Sequence, residues 1–269
     1  QTGFAMLCEG NVQEVMDLSP VAHLAAISGK VPFINFFDGF RTSHEIQKSA
    51  VWDYEDLKEM CDMDAVQAFR DHALNPEHPH MRGSHENGDV FFQHREACNK
   101  FYDELPAVVE KYMAMINEKL GTNYQLFNYY GAEDADRVII AMGSICDVAE
   151  EVIDYLNAHG EKVGLVKVRL YRPFRADKLI AAIPSTCKSI AVLDRTKERG
   201  ALGEPLYLDV VTALAENGKT GLKVIGGRYG LGSKDTTPAS VFAVYDELKK
   251  DQPKKQFTIG INDDVTFLS

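Results

Sequence analysis

Residues 189–209 read SIAVLDRTKERGALGEPLYLD, and this stretch sets the fold class. Ile190-Ala-Val-Leu193 is an all-apolar run of strand length, bounded by charge. Asp194-Arg195-Thr196-Lys197-Glu198-Arg199 follows as a polar turn that Gly200 and Gly203 loosen. Glu204-Pro205 then opens an amphipathic helix with proline in its first turn, where a missing N–H is tolerated. A buried strand feeding a glycine-bearing turn and a helix N-terminus is the repeating unit of a parallel α/β sheet, and ligands gather at such turns.

The same grammar repeats on both sides. Apolar strands are expected at 137–142 (RVIIAM), 163–169 (VGLVKVR), 189–193 and 222–225 (LKVI), with a last one over 257–261. Helices are expected between them at about 146–158, 176–182, 205–217 and 238–249. The helix from Cys146 puts Val148, Val152 and Leu156 on one face and Glu150, Glu151 and Asp154 opposite. This alternation implies a parallel sheet covered by helices and joined by right-handed crossovers.

The first half is less regular. Ser19-Pro20 reads as the N-cap and first turn of a short helix over 21–27, closed by Gly29. Residues 31–37 (VPFINFF) read as a buried strand that stops at Asp38-Gly39. Helices follow at about 53–61, 64–73 and 104–120. The last carries Val108, Tyr112, Ile116 and Leu120 at i, i+4 spacing and ends at Gly121. Residues 75–95 (NPEHPHMRGSHENGDVFFQHR) read as a long irregular excursion, of a length that usually serves function or wraps a neighbour. Composition shifts over 122–136, and a boundary near Asn128 divides the chain into units 1–128 and 129–269.

The 269 residues suffice for two domains, and 45% hydrophobic with 26% charged residues is ordinary for a globular protein. A formal net charge of −11 argues against nucleic acid as a partner, because no overall basic field attracts phosphates. Cys8, Cys61, Cys98, Cys146 and Cys187 are scattered and odd in number, with no C-x-x-C pair. Neither a disulfide framework nor a cysteine metal site is indicated, which fits a reduced, cytoplasmic setting. No run approaches the ~18 apolar residues of a membrane span. Gln1-Thr-Gly-Phe-Ala-Met-Leu starts inside an apolar element, as expected of a piece cut from a longer chain.

Most motif candidates fail on spacing. Phe37-Asp38-Gly39 matches part of the Gly-Asp-Gly signature that holds Mg²⁺ and thiamine diphosphate. The first glycine is absent, however, and residues 62–69 offer no asparagine to complete the shell, so Asp38 reads as a turn facing a cleft or subunit. Residues 226–234 (GGRYGLGSK) invite a phosphate loop, but Ser233-Lys234 reverses the required Lys-Ser order, and Asp235 breaks the dinucleotide glycine pattern. These glycines read as a tight turn. His78, His80, His85 and His94 share one loop without metal-ligand order, His23 and His72 read as packing residues, and no catalytic triad can be assembled.

One pattern remains. The turns leaving three consecutive strands are basic: Arg169 and Arg172, then Arg195, Lys197 and Arg199, then Arg228 and Lys234. In a parallel sheet these turns share one edge beside helix N-termini, which favour anions. Arg172, Arg195, Lys197, Arg228 and Lys234 are therefore the candidate site, an edge that binds an anion or docks a domain. The opposing reading is local neutralisation by Asp194, Glu198 and Asp235.

INFFDGFRTSHEIQK (34–48), LNPEHPHMRG (74–83), VGLVKVRLYRPF (163–174), VLDRTKERGALGEPLYLDV (192–210), GGRYGLGSK (226–234) and FTIGINDDVT (257–266) together resemble pyruvate:ferredoxin (flavodoxin) oxidoreductases over essentially the whole chain. Arg199 departs from the family's usual proline in the DRTKE turn. The resemblance implies a partial pyrimidine-binding-type α/β domain in 1–128 and a transketolase C-terminal-like, parallel-sheet α/β domain in 129–269. It implies a large, usually homodimeric parent that decarboxylates pyruvate on Mg²⁺–thiamine diphosphate and passes electrons through 4Fe-4S clusters to ferredoxin or flavodoxin. Acetyl goes to coenzyme A. It places the pyruvate contact and the cofactor-activating glutamate upstream of Gln1, and the diphosphate site and cluster cysteines downstream of Ser269. The segment is then expected to hold no cofactor, to carry no catalytic residue and to be inactive alone. The alternatives are an anion-binding module for a coenzyme A phosphate, or a segment of a related 2-oxoacid or pyruvate:NADP oxidoreductase.

Overall fold

A computed structural model describes residues 2–79, 81, 83, 85–263, 266 and 267. His80 of the histidine loop lies outside them.

The apolar runs of the second half form one six-stranded sheet. Its strands are β3 (Phe127–Gly131), β4 (Arg137–Ala141), β5 (Val163–Val168), β7 (Ser189–Asp194), β8 (Lys223–Arg228) and β9 (Gln256–Thr258), in the order β3-β5-β4-β7-β8-β9. All neighbours are parallel except β3, which runs antiparallel to β5 at the edge. Helices α6 (Ile145–Ala158) and α9 (Pro238–Lys249) cover one face, burying Ile145, Val152, Ile153, Val241, Val244 and Tyr245. Helices α7 (Ala176–Ala182) and α8 (Pro205–Glu216) cover the other, where Leu179, Leu206, Val210 and Leu214 join a core that continues into the first half of the chain.

Gly226 and Gly227 are not turn residues but lie within β8. The Tyr207 ring packs on Gly226, and a Cβ at Gly227 would sit 2.4 Å from the Phe257 ring and 2.7 Å from Leu193. The turn proper is made by Gly230 and Gly232, both with positive φ.

A second sheet has three strands in the order β2-β1-β6: β2 (Phe33–Phe37), β1 (Ala5–Glu9) and β6 (Leu170–Arg172). β1 is parallel to β2 and antiparallel to β6. One residue, Arg169, separates β5 from β6, so the chain steps from one sheet into the other at that point. β2 is an edge strand with Ile34 and Phe37 exposed, not the buried strand its composition suggests.

Helix α1 (Val12–Gly29) and helix α5 (Asn99–Leu120) pack against this sheet through Leu18, Val21, Ala25, Leu105, Val109, Tyr112 and Ile116. α1 starts seven residues before Ser19-Pro20. Its N-cap is Asn11, whose Oδ1 accepts from the Glu14 N–H at 2.9 Å, while Glu14 accepts in return from Gly10 N–H at 2.7 Å. Pro20 is inside the helix. It removes the N–H that Met16 O would receive, and the indole N–H of Trp52 donates to that carbonyl instead at 3.1 Å. Ser19 is not a cap; its hydroxyl donates to Val15 O. Helices α2 (Tyr54–Met60) and α3 (Met63–Asp71) precede the excursion, and α4 (Phe91–Ala97), which buries no residue, lies at its end.

Candidate functional site

The carboxyl ends of the two sheets face each other across a cavity of about 530 Å³. Cys8 of β1 and Phe36–Phe40 at the end of β2 form one wall; Met142 after β4, Leu193–Thr196 at the end of β7 and Tyr229–Ser233 after β8 form the other. In the six-stranded sheet β5 lies on one side of β4 and β7 on the other, so the wall from β4 and β7 is the switch point at which α/β sheets usually bind ligands.

The charged groups at this cavity are engaged with partners, whereas the Ser233 hydroxyl is buried without one. Asp38 accepts the backbone N–H of Ser144 at the start of α6 and forms an ion pair with Arg195 Nη1 at 3.2 Å. Arg195 Nε donates to Gly230 O at 3.2 Å. Asp194 points away from the cations: its two carboxylate oxygens accept from Leu206 N–H (2.9 Å) and Tyr207 N–H (3.0 Å) and cap α8. Burial pushes the Asp194 carboxyl up to about 6, against the pull of those two amides.

Arg228, Lys197 and Arg172 are also held by carboxylates of the chain. Arg228 is buried and donates to Glu204 Oε1 at 3.2 Å and to Thr258 Oγ1 at 3.2 Å. Lys197 Nζ lies 3.5 Å from the same Glu204 oxygen, and Glu204 Oε2 accepts from Glu198 N–H at 2.6 Å. Arg172 lies on β6 in the other sheet, where it pairs with Asp209 of α8 at 2.7 Å and stacks on Tyr171 at 4.0 Å. It therefore does not share an edge with Arg195 and Arg228. Arg169 turns into the first half of the chain and pairs with Glu14 at 2.8 Å. Lys234 is exposed and makes no ion pair among the described residues.

Arg172, Arg195, Lys197 and Arg228 are neutralised, but by none of the three carboxylates expected from the sequence. Asp194 is spent on a helix cap and Glu198 contributes only its backbone, while Asp235 pairs with Arg41. Glu204, Asp38 and Asp209 carry the opposing charge instead. In the sequence Glu204 is marked only by the proline that follows it, and Asp38 and Asp209 lie 157 and 37 positions from their partners.

The residues present do not fit a metal–diphosphate centre. Among the described residues no three His, Cys, Asp or Glu side chains converge to hold a metal, and Asp38 is taken by Ser144 and Arg195. Cys8, Cys146 and Cys187 are buried, and burial raises all three thiols. None is a ready nucleophile or cluster ligand. Among the described residues no helix is long and apolar enough to cross a membrane.

The fold places the chain in a class. It superposes on the 2-oxoglutarate:ferredoxin oxidoreductase of Magnetococcus marinus with a TM-score of 0.57 over 91% of this chain and 42% of that one. Identity is 20%, so the likeness is one of α/β architecture alone. Sequence comparison narrows it. Residues 1–114 match the family described as pyruvate flavodoxin/ferredoxin oxidoreductase, thiamine diP-bdg, and residues 135–241 match pyruvate:ferredoxin oxidoreductase core domain II. The whole chain is 58% identical to the pyruvate:ferredoxin oxidoreductase of Moorella thermoacetica and 58% identical to the pyruvate-flavodoxin oxidoreductase of Enterobacter agglomerans. The chain belongs to the pyruvate:ferredoxin/flavodoxin oxidoreductase family, and it spans 23% of the length of each of these relatives.

Proposed function

We propose that the chain is a segment of an enzyme that oxidatively decarboxylates pyruvate to acetyl-CoA and CO₂ and delivers the electrons to ferredoxin or flavodoxin. Within that enzyme its role is architectural. Residues 1–128 act as the latter part of a pyrimidine-binding-type domain and residues 129–269 as the domain that buttresses it. Thiamine diphosphate, Mg²⁺, the 4Fe-4S clusters and coenzyme A are held by the rest of the polypeptide, which works as a homodimer in the cytoplasm.

One observation carries this reading: Arg172, Arg195, Lys197 and Arg228 each meet a carboxylate of the same chain. Cations already paired with carboxylates of the chain present little net positive field to an incoming anion. Here Arg195 reaches across the cavity to Asp38, so its charge joins two parts of the fold.

The test is a redox assay on the 269-residue chain with pyruvate, thiamine diphosphate, Mg²⁺ and coenzyme A, reading viologen reduction. No reduction above the protein-free rate is expected. Sustained, pyruvate-dependent reduction would overturn the architectural reading.

A further inference from the structure

β1 ends on a carboxyl group that the fold leaves unsatisfied. Glu9 is 0% exposed, and both its carboxyl oxygens are buried without a hydrogen-bond partner. Burial pushes this carboxyl up to about 9; Glu14 adds to the push and Arg169 opposes it. Glu9 is therefore a neutral acid at pH 7.

The groups around it are already engaged. Glu14 accepts from Gly10 N–H at 2.7 Å and from Arg169 Nη2 at 2.8 Å. Burial alone would raise the Glu14 carboxyl, but the Arg169 bond and charge, with the Gly10 amide, hold it below its usual range. Asp17 accepts from Gln13 Nε2 and from the Tyr124 hydroxyl, each at 2.7 Å. Arg169 Nε donates to Asn128 Oδ1 at 2.7 Å, and the guanidinium lies over the Tyr124 ring.

Around this core, Asp147 of α6 accepts from Asn11 Nδ2, Lys167 of β5 pairs with Glu150, and Asp38 is held by Arg195 and Ser144. Burial keeps Cys8, Cys146 and Tyr124 in their neutral forms. Arg169 is the cation whose charge acts on Glu9.

The Arg169–Glu14 pair is also a joint. Arg169 is the residue at which the chain leaves the six-stranded sheet for the three-stranded one, and Glu14 closes the first turn of α1. We propose that Glu9 is a proton-operated latch on this joint: protonated, it leaves Arg169 on Glu14, and deprotonated, it draws Arg169 to itself and loosens α1 from the β5–β6 step. The proton passes to solvent base as local opening admits water. A buried negative charge cannot persist without a partner, and a shift of Arg169 toward Glu9 competes with the bonds its guanidinium makes to Glu14 and Asn128.

The test uses the 269-residue chain labelled with ¹³C-glutamate. Infrared difference spectra between wild type and Glu9→Gln should show one protonated glutamate carbonyl near pH 7 that is missing in the variant and converts to carboxylate around pH 9. Hydrogen exchange at the amides of residues 10–15 and 169–172 should diverge between the two proteins as pH rises toward the transition. Above the transition, wild type should exchange about tenfold faster than Glu9→Gln at the same pH. An ionised Glu9 at neutral pH, or equal exchange in both proteins across the range, overturns the latch. Should Glu9→Gln fail to fold, the labelled wild type decides alone: its spectrum must contain a protonated glutamate carbonyl near pH 7.

Discussion

Replacing Glu204 by Gln would remove one charge from the turn at 194–204 and almost nothing else. The variant keeps an oxygen for Glu198 N–H and a similar volume, but it strands the buried Arg228 beside a neutral amide. At 3.2 Å and an effective dielectric constant of about 20, the pair's attraction is ~5 kcal/mol before desolvation is subtracted. Breaking a buried pair by neutralising one partner typically costs ~3–5 kcal/mol. Thr258 still receives Arg228 Nη2, and Lys197 loses a partner at the surface, so a loss near the lower end, ~3 kcal/mol, is expected. Arg228→Met should cost less, about 1–2 kcal/mol, because Glu204 retains Lys197 and the Glu198 amide. The double variant Glu204→Leu/Arg228→Met should fall within about 1 kcal/mol of wild type, since it leaves neither charge stranded. Urea unfolding followed by far-ultraviolet circular dichroism reads all three values, and the single Trp52 gives a second probe. If Glu204→Gln lost under about 1 kcal/mol, or the double variant lost as much as Glu204→Gln, the basic turn would not be held by Glu204 and the pairing argument would fail.

Three further outcomes follow from named contacts. Because the folded pKa of Glu9 lies above its ordinary 4.5, the native state binds the extra proton. Stability should therefore fall as pH rises from about 4.5 to about 9, by up to ~1.4 kcal/mol per pH unit, and Glu9→Gln should lack that slope in urea titrations at several pH values. Gly227→Ala drives a Cβ into Phe257 and Leu193 and should cost about 1–3 kcal/mol in the same assay, whereas Gly221→Ala, which meets nothing, should cost under about 1. Trp52→Phe leaves Met16 O without its donor and should cost about 1–2 kcal/mol. Adding Pro20→Ala restores a backbone N–H for that carbonyl and should recover the loss, which thermal unfolding would show.

The second half of the chain was legible because its central strands β4, β5 and β7 are mostly apolar and buried on both faces. RVIIA, VGLVKV and SIAVLD announce themselves whatever surrounds them. β3 and β6 carry no such signal. FNYYG is a mixed edge strand, and LYR is three residues long and merges in sequence with β5. In the first half the Ser19-Pro20 signature was misleading because a true capping pattern, Asn11 with Glu14, stands upstream, and Trp52 relieves the cost of a mid-helix proline from 32 residues away.

The candidate site was legible in its cations and not in their partners. Pairings such as Arg195–Asp38 and Arg169–Glu14 depend on how the two sheets meet, which no local pattern encodes. Glu9 was invisible for a related reason: a charged residue at the end of an apolar strand ordinarily marks the step into solvent, and here the fold closes over it.

The central claim is that Arg172, Arg195, Lys197 and Arg228 hold the fold together and are not free for a ligand. Calorimetric titration of the 269-residue chain with coenzyme A, and separately with inorganic pyrophosphate, tests it most directly. Only heats of dilution are predicted for both. A saturable heat that disappears on Arg195→Ala would contradict the claim and make the basic turn a binding site.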